Sequence, residues 1–213
     1  MDMKWKLKDI LMVAIVGVLF SFLFLGADYV GAALTAALTP MGLGALGYQF
    51  IYGIWFMAAT FATYVIQKRG VGIIAEMLAA VIEVMMGGMF GPMTLVTGFC
   101  QGLGCEIGFA IFRYKKFGWS SMILSSIICA VFTFIVPEYF AYGYSAYALP
   151  ILIAALAIRV VSSILFTGVV SKLIGDGLAK AGVLRGYALG MKQNLPEEEI
   201  GRASCRERVF RAV

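Results

Sequence analysis

Long apolar runs broken by short polar or glycine-rich connections organise this chain, and six of them can be drawn, over residues 10–27, 46–66, 71–86, 93–112, 119–136 and 150–170. None alternates apolar and polar positions as a half-buried strand would, so each predicts a helix. A helix needs about 20 apolar residues to cross a hydrocarbon layer of about 30 Å. The third run is short for a crossing unless residues 87–90 extend it. A transmembrane β-barrel, with alternation over segments of about ten residues, does not fit runs this continuous.

The cations test this division. Lys4, Lys6 and Lys8 precede the first run, Lys68 and Arg69 separate the second from the third, and Arg113, Lys115 and Lys116 separate the fourth from the fifth. Lys172, Lys180, Arg185 and Lys192 follow the sixth, while the other three connections hold no Lys or Arg. Short cytoplasmic loops collect cations. The expectation is an all-α membrane protein of six transmembrane helices with cytoplasmic N and C termini, and with residues 28–45, 87–92 and 137–149 facing outward. The first outward connection, rich in Gly, Ala and Thr, reads as a segment that folds back as a helix or a lid. The third carries Glu138, Tyr139, Tyr142, Tyr144 and Tyr147, as an aromatic belt or as the lining of an entrance.

Composition agrees with the pattern. Of 213 residues, 62% are hydrophobic and 14% charged, against about 45–50% and 25% in soluble domains. The absence of histidine removes the usual proton shuttle, the commonest metal ligand and the Ser-His or Cys-His pairs of nucleophilic enzymes. No metal-ligand cluster is visible: Cys100, Cys105, Cys129 and Cys205 lack ligand spacing and read as small buried hydrophobes. No GxxxxGK[ST] segment occurs, so the chain is not an ATPase by itself. The start leads into the first run without a cleavage site, which predicts a retained helix rather than a signal peptide. Residues 1–192 form the expected membrane domain and 193–213 a polar tail, disordered or partly artificial. Its last thirteen residues supply four arginines against Glu207, so +3 of the formal +5 belongs to them and the basic balance says nothing of nucleic acid.

Few ionisable groups remain inside the runs: Glu76, Glu83, Glu106 and Arg159. A charge near the centre of a membrane helix costs about 2.5–3.5 kcal/mol on insertion scales, so each should face the bundle and have a partner. Glu76 and Glu83 are two helical turns apart on one face, with Glu83 about 10 Å further along it. Arg159 can pair with Glu106 or Glu76. One arginine cannot neutralise three glutamates: either a glutamate is protonated or a cationic ligand completes the balance, with Glu83 the carboxylate assigned to it. Gln101 needs hydrogen-bond partners of its own. The glycine pairs Gly98/Gly102 and Gly104/Gly108 suit close helix packing. Tyr48, Tyr52 and Trp55 can form one stripe, as core or as the wall for a flat heteroaromatic ligand. A stand-alone proton-coupled carrier of a small cationic or heteroaromatic solute is the alternative function, although no internal repeat offers a second half for alternating access.

The stretches "YGIWFMAATFATYVIQKRGVGIIAEMLAAVIEVMMGG", "GPMTLVTGFCQGLGCEIGF", "GYSAYALPILIAALAIRVVSSIL" and "LAKAGVLRGYALG" carry a resemblance covering about residues 5–192. The chain resembles the substrate-binding S components of energy-coupling factor (ECF) vitamin transporters, in the YkoE-like group linked to thiamine or its hydroxymethylpyrimidine moiety. The resemblance implies a high-affinity capture subunit rather than an enzyme, with no cofactor of its own. Its implied partners are a transmembrane coupling subunit and two cytoplasmic ABC ATPases that use ATP, in a bacterial cytoplasmic membrane. It also implies an outward pocket under the first outward loop, with Glu76, Glu83, Gln101, Glu106, Tyr52 and Trp55 matching the acidic and aromatic stretches. Many S components dock through alanines four apart on the first helix; here Ala14, Gly17 and Ser21 stand in that region without a clean repeat.

Overall fold

The computed structural model describes residues 5–193, which contain helices and turns and no strand. Helix α1 runs Leu7–Leu38, and α2, α3, α4 and α5 run Met57–Ile66, Val71–Met85, Met93–Ile111 and Trp119–Thr133. Helices α6, α7 and α8 run Leu149–Ser163, Ser171–Lys180 and Ala188–Gln193. Four continuous helical stretches are long and apolar enough to cross a membrane: Leu7–Met41, Met93–Ile111, Trp119–Tyr139 and Leu149–Lys180. A fifth appears if Gly44–Phe50 and Tyr52–Ile66, bent by 47°, count as one span. Helix α3, with 15 residues, measures about 22 Å, less than a hydrocarbon core.

Two boundaries differ from expectation in ways that matter. Residues 28–38, expected in a loop, continue α1, because Ala-rich sequence with no proline before Pro40 has every reason to stay helical. Asp28 is therefore a fully buried helix residue. The fifth run likewise continues through π-helical turns over Phe134–Tyr139 that include Pro137, so Glu138 sits inside the bundle, 6% exposed, rather than in an outward loop.

The second run changes character midway. Short 3-10 turns at Gly44–Leu46, Tyr48–Phe50 and Tyr52–Phe56 precede α2. Such turns leave backbone groups that need outside partners, and α6 with the π-helical turns after it provides them. The Gly53 N–H donates to Ser162 Oγ at 3.1 Å, and Thr167 Oγ1 donates to the Gly53 carbonyl at 2.6 Å. A Cβ at Gly53 would lie 2.7 Å from Ser163 Cα, so only glycine allows this approach.

Helix α4 is central, packed against α3 on one side and α5 on the other. Its glycine pairs divide that work. A Cβ at Gly98 or Gly102 would meet Ala80 or Ile73 of α3, and one at Gly104 or Gly108 would meet Cys129 or Ser125 of α5. Cys100, Cys105 and Cys129 are buried free thiols; Cys205 and the expected tail beyond residue 193 lie outside the described residues.

The cation-bearing segments meet at one end of the bundle. Lys68 pairs with Asp9 at 2.7 Å, Lys192 Nζ donates to Gln67 Oε1 at 2.6 Å, and Tyr187 Oη donates to the Lys8 carbonyl at 2.9 Å. Lys8 also bonds the Gly186 carbonyl, and Lys172 pairs with Asp176.

Candidate functional site

Away from that cationic end, a cavity of about 180 Å³ is lined by Tyr48, Tyr52, Trp55, Glu83, Phe90, Thr94, Thr97, Gln101, Glu138, Tyr142 and Tyr144. Its aromatic wall is a chain of touching rings. Tyr142 meets Phe90 at 6.2 Å, Phe90 meets Tyr48 at 5.3 Å, Tyr48 meets Trp55 at 6.1 Å and Trp55 meets Tyr52 at 5.6 Å between centroids. These separations favour tilted and edge-on contacts, which leave faces and edges toward the cavity. Thr97 and Tyr142, both in the lining, join hydroxyl to hydroxyl at 3.0 Å.

Two carboxylates reach this space, in opposite states. Glu138 is held: its Oε1 accepts from Tyr52 Oη at 2.5 Å and pairs with Arg159 Nη2 at 3.1 Å. Arg159 is fully buried behind the wall, with its guanidinium 3.5 Å from the Tyr52 ring centroid. Its Nε donates to Gln49 Oε1 at 2.6 Å, while Gln49 Nε2 donates to Tyr144 Oη at 2.7 Å. A buried ion pair is tolerated when further hydrogen bonds support it; here Tyr52 supports Glu138 and Gln49 supports Arg159, whose Nη2 is held by the ion pair alone. Arg159 thus pairs with Glu138 rather than with Glu106 or Glu76, because α6 packs against α5 and the 3-10 turns while those glutamates are occupied elsewhere.

Glu83 is not held. It is 1% exposed, and neither carboxylate oxygen has a partner of hydrogen-bond geometry; the Trp55 indole is the donor facing it. A buried carboxylate without partners carries a large desolvation cost. Such a group inside an aromatic cavity is suited to a donor or cation arriving from outside the chain.

Glu76 and Glu106 do something else. Glu76 Oε2 accepts the Ala59 N–H at 2.8 Å, in the first turn of α2. Glu106 Oε1 accepts the Gly72 N–H at 2.8 Å, in the first turn of α3, and its other oxygen accepts from Tyr114 Oη. Neither helix has a side-chain N-cap of its own. First-turn N–H groups need acceptors, and the helix dipole favours a negative charge there. Both glutamates are therefore caps supplied by a neighbouring helix, and neither lines the cavity.

Of the other residues named from sequence, Tyr48, Tyr52, Trp55, Gln101 and Tyr142 line the cavity, whereas Tyr139 lies edge-on to Phe140 and does not. On α1, Gly17 and Ser21 turn inward, with Leu78 2.8 Å from where a Gly17 Cβ would be, and Ala14 is half-buried. The exposed face of that helix carries Leu11, Ile15, Val18, Leu19 and Phe22 instead. Tyr144, offered from sequence among the tyrosines that could line an entrance, does line the cavity, whereas sequence reasoning missed Phe90, Thr94 and Thr97. The two threonines had a usable signal, since Thr94, Thr97 and Gln101 follow helical spacing on α4.

Comparisons with known proteins agree with this architecture. Residues 8–132 match the family described as ABC-type cobalt transport system, permease component. The chain is 36% identical over 187 residues to a Bacillus subtilis (strain 168) protein named as an HMP/thiamine permease, YkoE, covering 88% of this chain and 91% of that one. A crystal structure of an S-component of an ECF transporter superposes with a TM-score of 0.84 at 33% identity, covering 95% of this chain and 98% of the other. These matches span the cavity and the helices that build it, and transport rather than enzymatic chemistry is their common thread. The chain belongs to this permease family, as a multi-pass membrane S component that captures substrate for an ECF transporter.

Proposed function

We propose that the chain captures thiamine or its hydroxymethylpyrimidine moiety in the aromatic cavity and releases it for ATP-driven import. The observation that carries the reading is Glu83, buried in a wall of touching rings with neither oxygen in a hydrogen bond and the Trp55 indole as the donor facing it. An aminopyrimidine offers a flat face for stacking and an amino group that donates to a carboxylate, and a thiazolium adds a cation that aromatic faces attract. The relative named for HMP and thiamine supports the same ligand class. In this reading six helices cross a bacterial cytoplasmic membrane, with the short α3 as the third. The cationic end faces the cytoplasm, and a transmembrane coupling subunit with two ABC ATPases provides the energy. The exposed aliphatic face of α1 is the surface offered for that docking. Calorimetric titration of the purified chain with thiamine and with hydroxymethylpyrimidine tests the ligand. The expected result is binding that weakens at least about tenfold in Glu83→Gln, as for loss of a charge-assisted hydrogen bond; equal affinity in the variant would sink the reading.

A further inference from the structure

Asp28 is a third carboxylate of the cavity region, beside Glu83 and Glu138, although it is not part of the lining. It sits on α1, fully buried, and its Oδ2 accepts the Met89 N–H at 2.9 Å, while Oδ1 has no partner. The Asp28 and Glu83 side chains converge on one residue: a Cβ at Gly88 would lie 2.9 Å from Glu83 Cγ and 3.5 Å from Asp28 Oδ2. Asp28 also meets the cavity wall through its backbone, whose carbonyl accepts from the Tyr48 hydroxyl at 3.4 Å. Asp28, with one oxygen lacking a partner, thus lies close behind Glu83, with two.

No cation of the chain offsets them among the described residues. Arg159 is matched to Glu138, and the paired lysines belong to the opposite end. A neutral guest needs only one acceptor, for which Glu83 suffices. A second acid close behind it adds nothing to such a guest but adds attraction for a positive charge, which acts over distance in a medium of low dielectric. We infer that Asp28 is a specificity-determining residue that acts through Glu83 to favour a cationic heteroaromatic ligand over its neutral fragment.

The inference rests on the proposed ligand class, and the two can fail separately. Thiamine and hydroxymethylpyrimidine are titrated calorimetrically into the full chain and into Asp28→Asn. The amide keeps an acceptor for the Met89 N–H and removes only the charge. The expected result is a loss of about tenfold in thiamine affinity with hydroxymethylpyrimidine affinity changed less than about twofold, as for a second charge one layer from the ligand. Asp28→Glu, which restores the charge, should recover the preference. An equal loss for both ligands in Asp28→Asn would make the residue only a latch for the turn at Met89 and would overturn the inference, as would no change at all. Failure of the unaltered chain to bind either compound would overturn the ligand reading and this inference with it.

Discussion

The two ends of the bundle use buried acid in contrasting ways. Toward the cationic end, Glu76 and Glu106 each accept a first-turn N–H of a neighbouring helix. Glu76 keeps its other oxygen without a partner; around the cavity Asp28 does the same, Glu83 leaves both oxygens so, and Glu138 is tied to Arg159 and Tyr52. Residues of the same chemistry therefore hold helices together at one level and await a guest at another. What separates Glu83 from the others is a backbone donor: Glu76, Glu106 and Asp28 each accept an N–H, and none reaches Glu83.

Substitutions can break this division or sharpen it. The largest effect expected is that of Arg159→Met, which leaves Glu138 buried without its cation. Breaking a buried pair in this way costs about 3–5 kcal/mol, and chemical unfolding in detergent should show it together with loss of ligand binding. Glu83→Gln should reduce thiamine affinity by about tenfold to a hundredfold, with a melting temperature equal to or above that of the unaltered chain. Glu106→Ala should do the reverse, lowering stability by about 1–2 kcal/mol through loss of the α3 cap while titration finds affinity within about twofold. The smallest change belongs to Glu76→Gln, whose amide oxygen can still accept the Ala59 N–H; a stability loss under about 1 kcal/mol is expected. If Glu76→Gln abolished binding at unchanged stability, the contrast between the two levels would collapse.

Much of this was legible in sequence, for reasons that differ by residue. The confinement of cations to alternate connections anticipated the end at which Lys8, Lys68 and Lys192 meet. The spacing of Gly98, Gly102, Gly104 and Gly108 anticipated two packing faces on α4, because a helix repeats its face every three to four residues. Helical phase also put Glu76 and Glu83 on the same face. It could not say that the α2 terminus would meet one and a cavity the other, since that depends on tertiary depth.

The misses have a common source. Asp28 and Glu138 were assigned to connections because a polar residue beside Gly, Ala or Pro resembles a boundary, yet both helices continue through them. The buried charge count was therefore drawn without two of its members, and Arg159 was left to choose among the wrong partners. Hydropathy locates where a chain can enter a membrane, but the polar side chains that matter most are those that mimic its edges.

The approach of Gly53 to the backbone of α6 has a bearing on how ligand choice can change. A segment pinned by main-chain contact cannot step back to admit a bulkier guest, so remodelling of the cavity is directed to the opposite wall. There Thr94 presents a hydroxyl with no partner to forfeit, which makes α4 the side on which relatives with the same scaffold can trade volume and acquire new cargo.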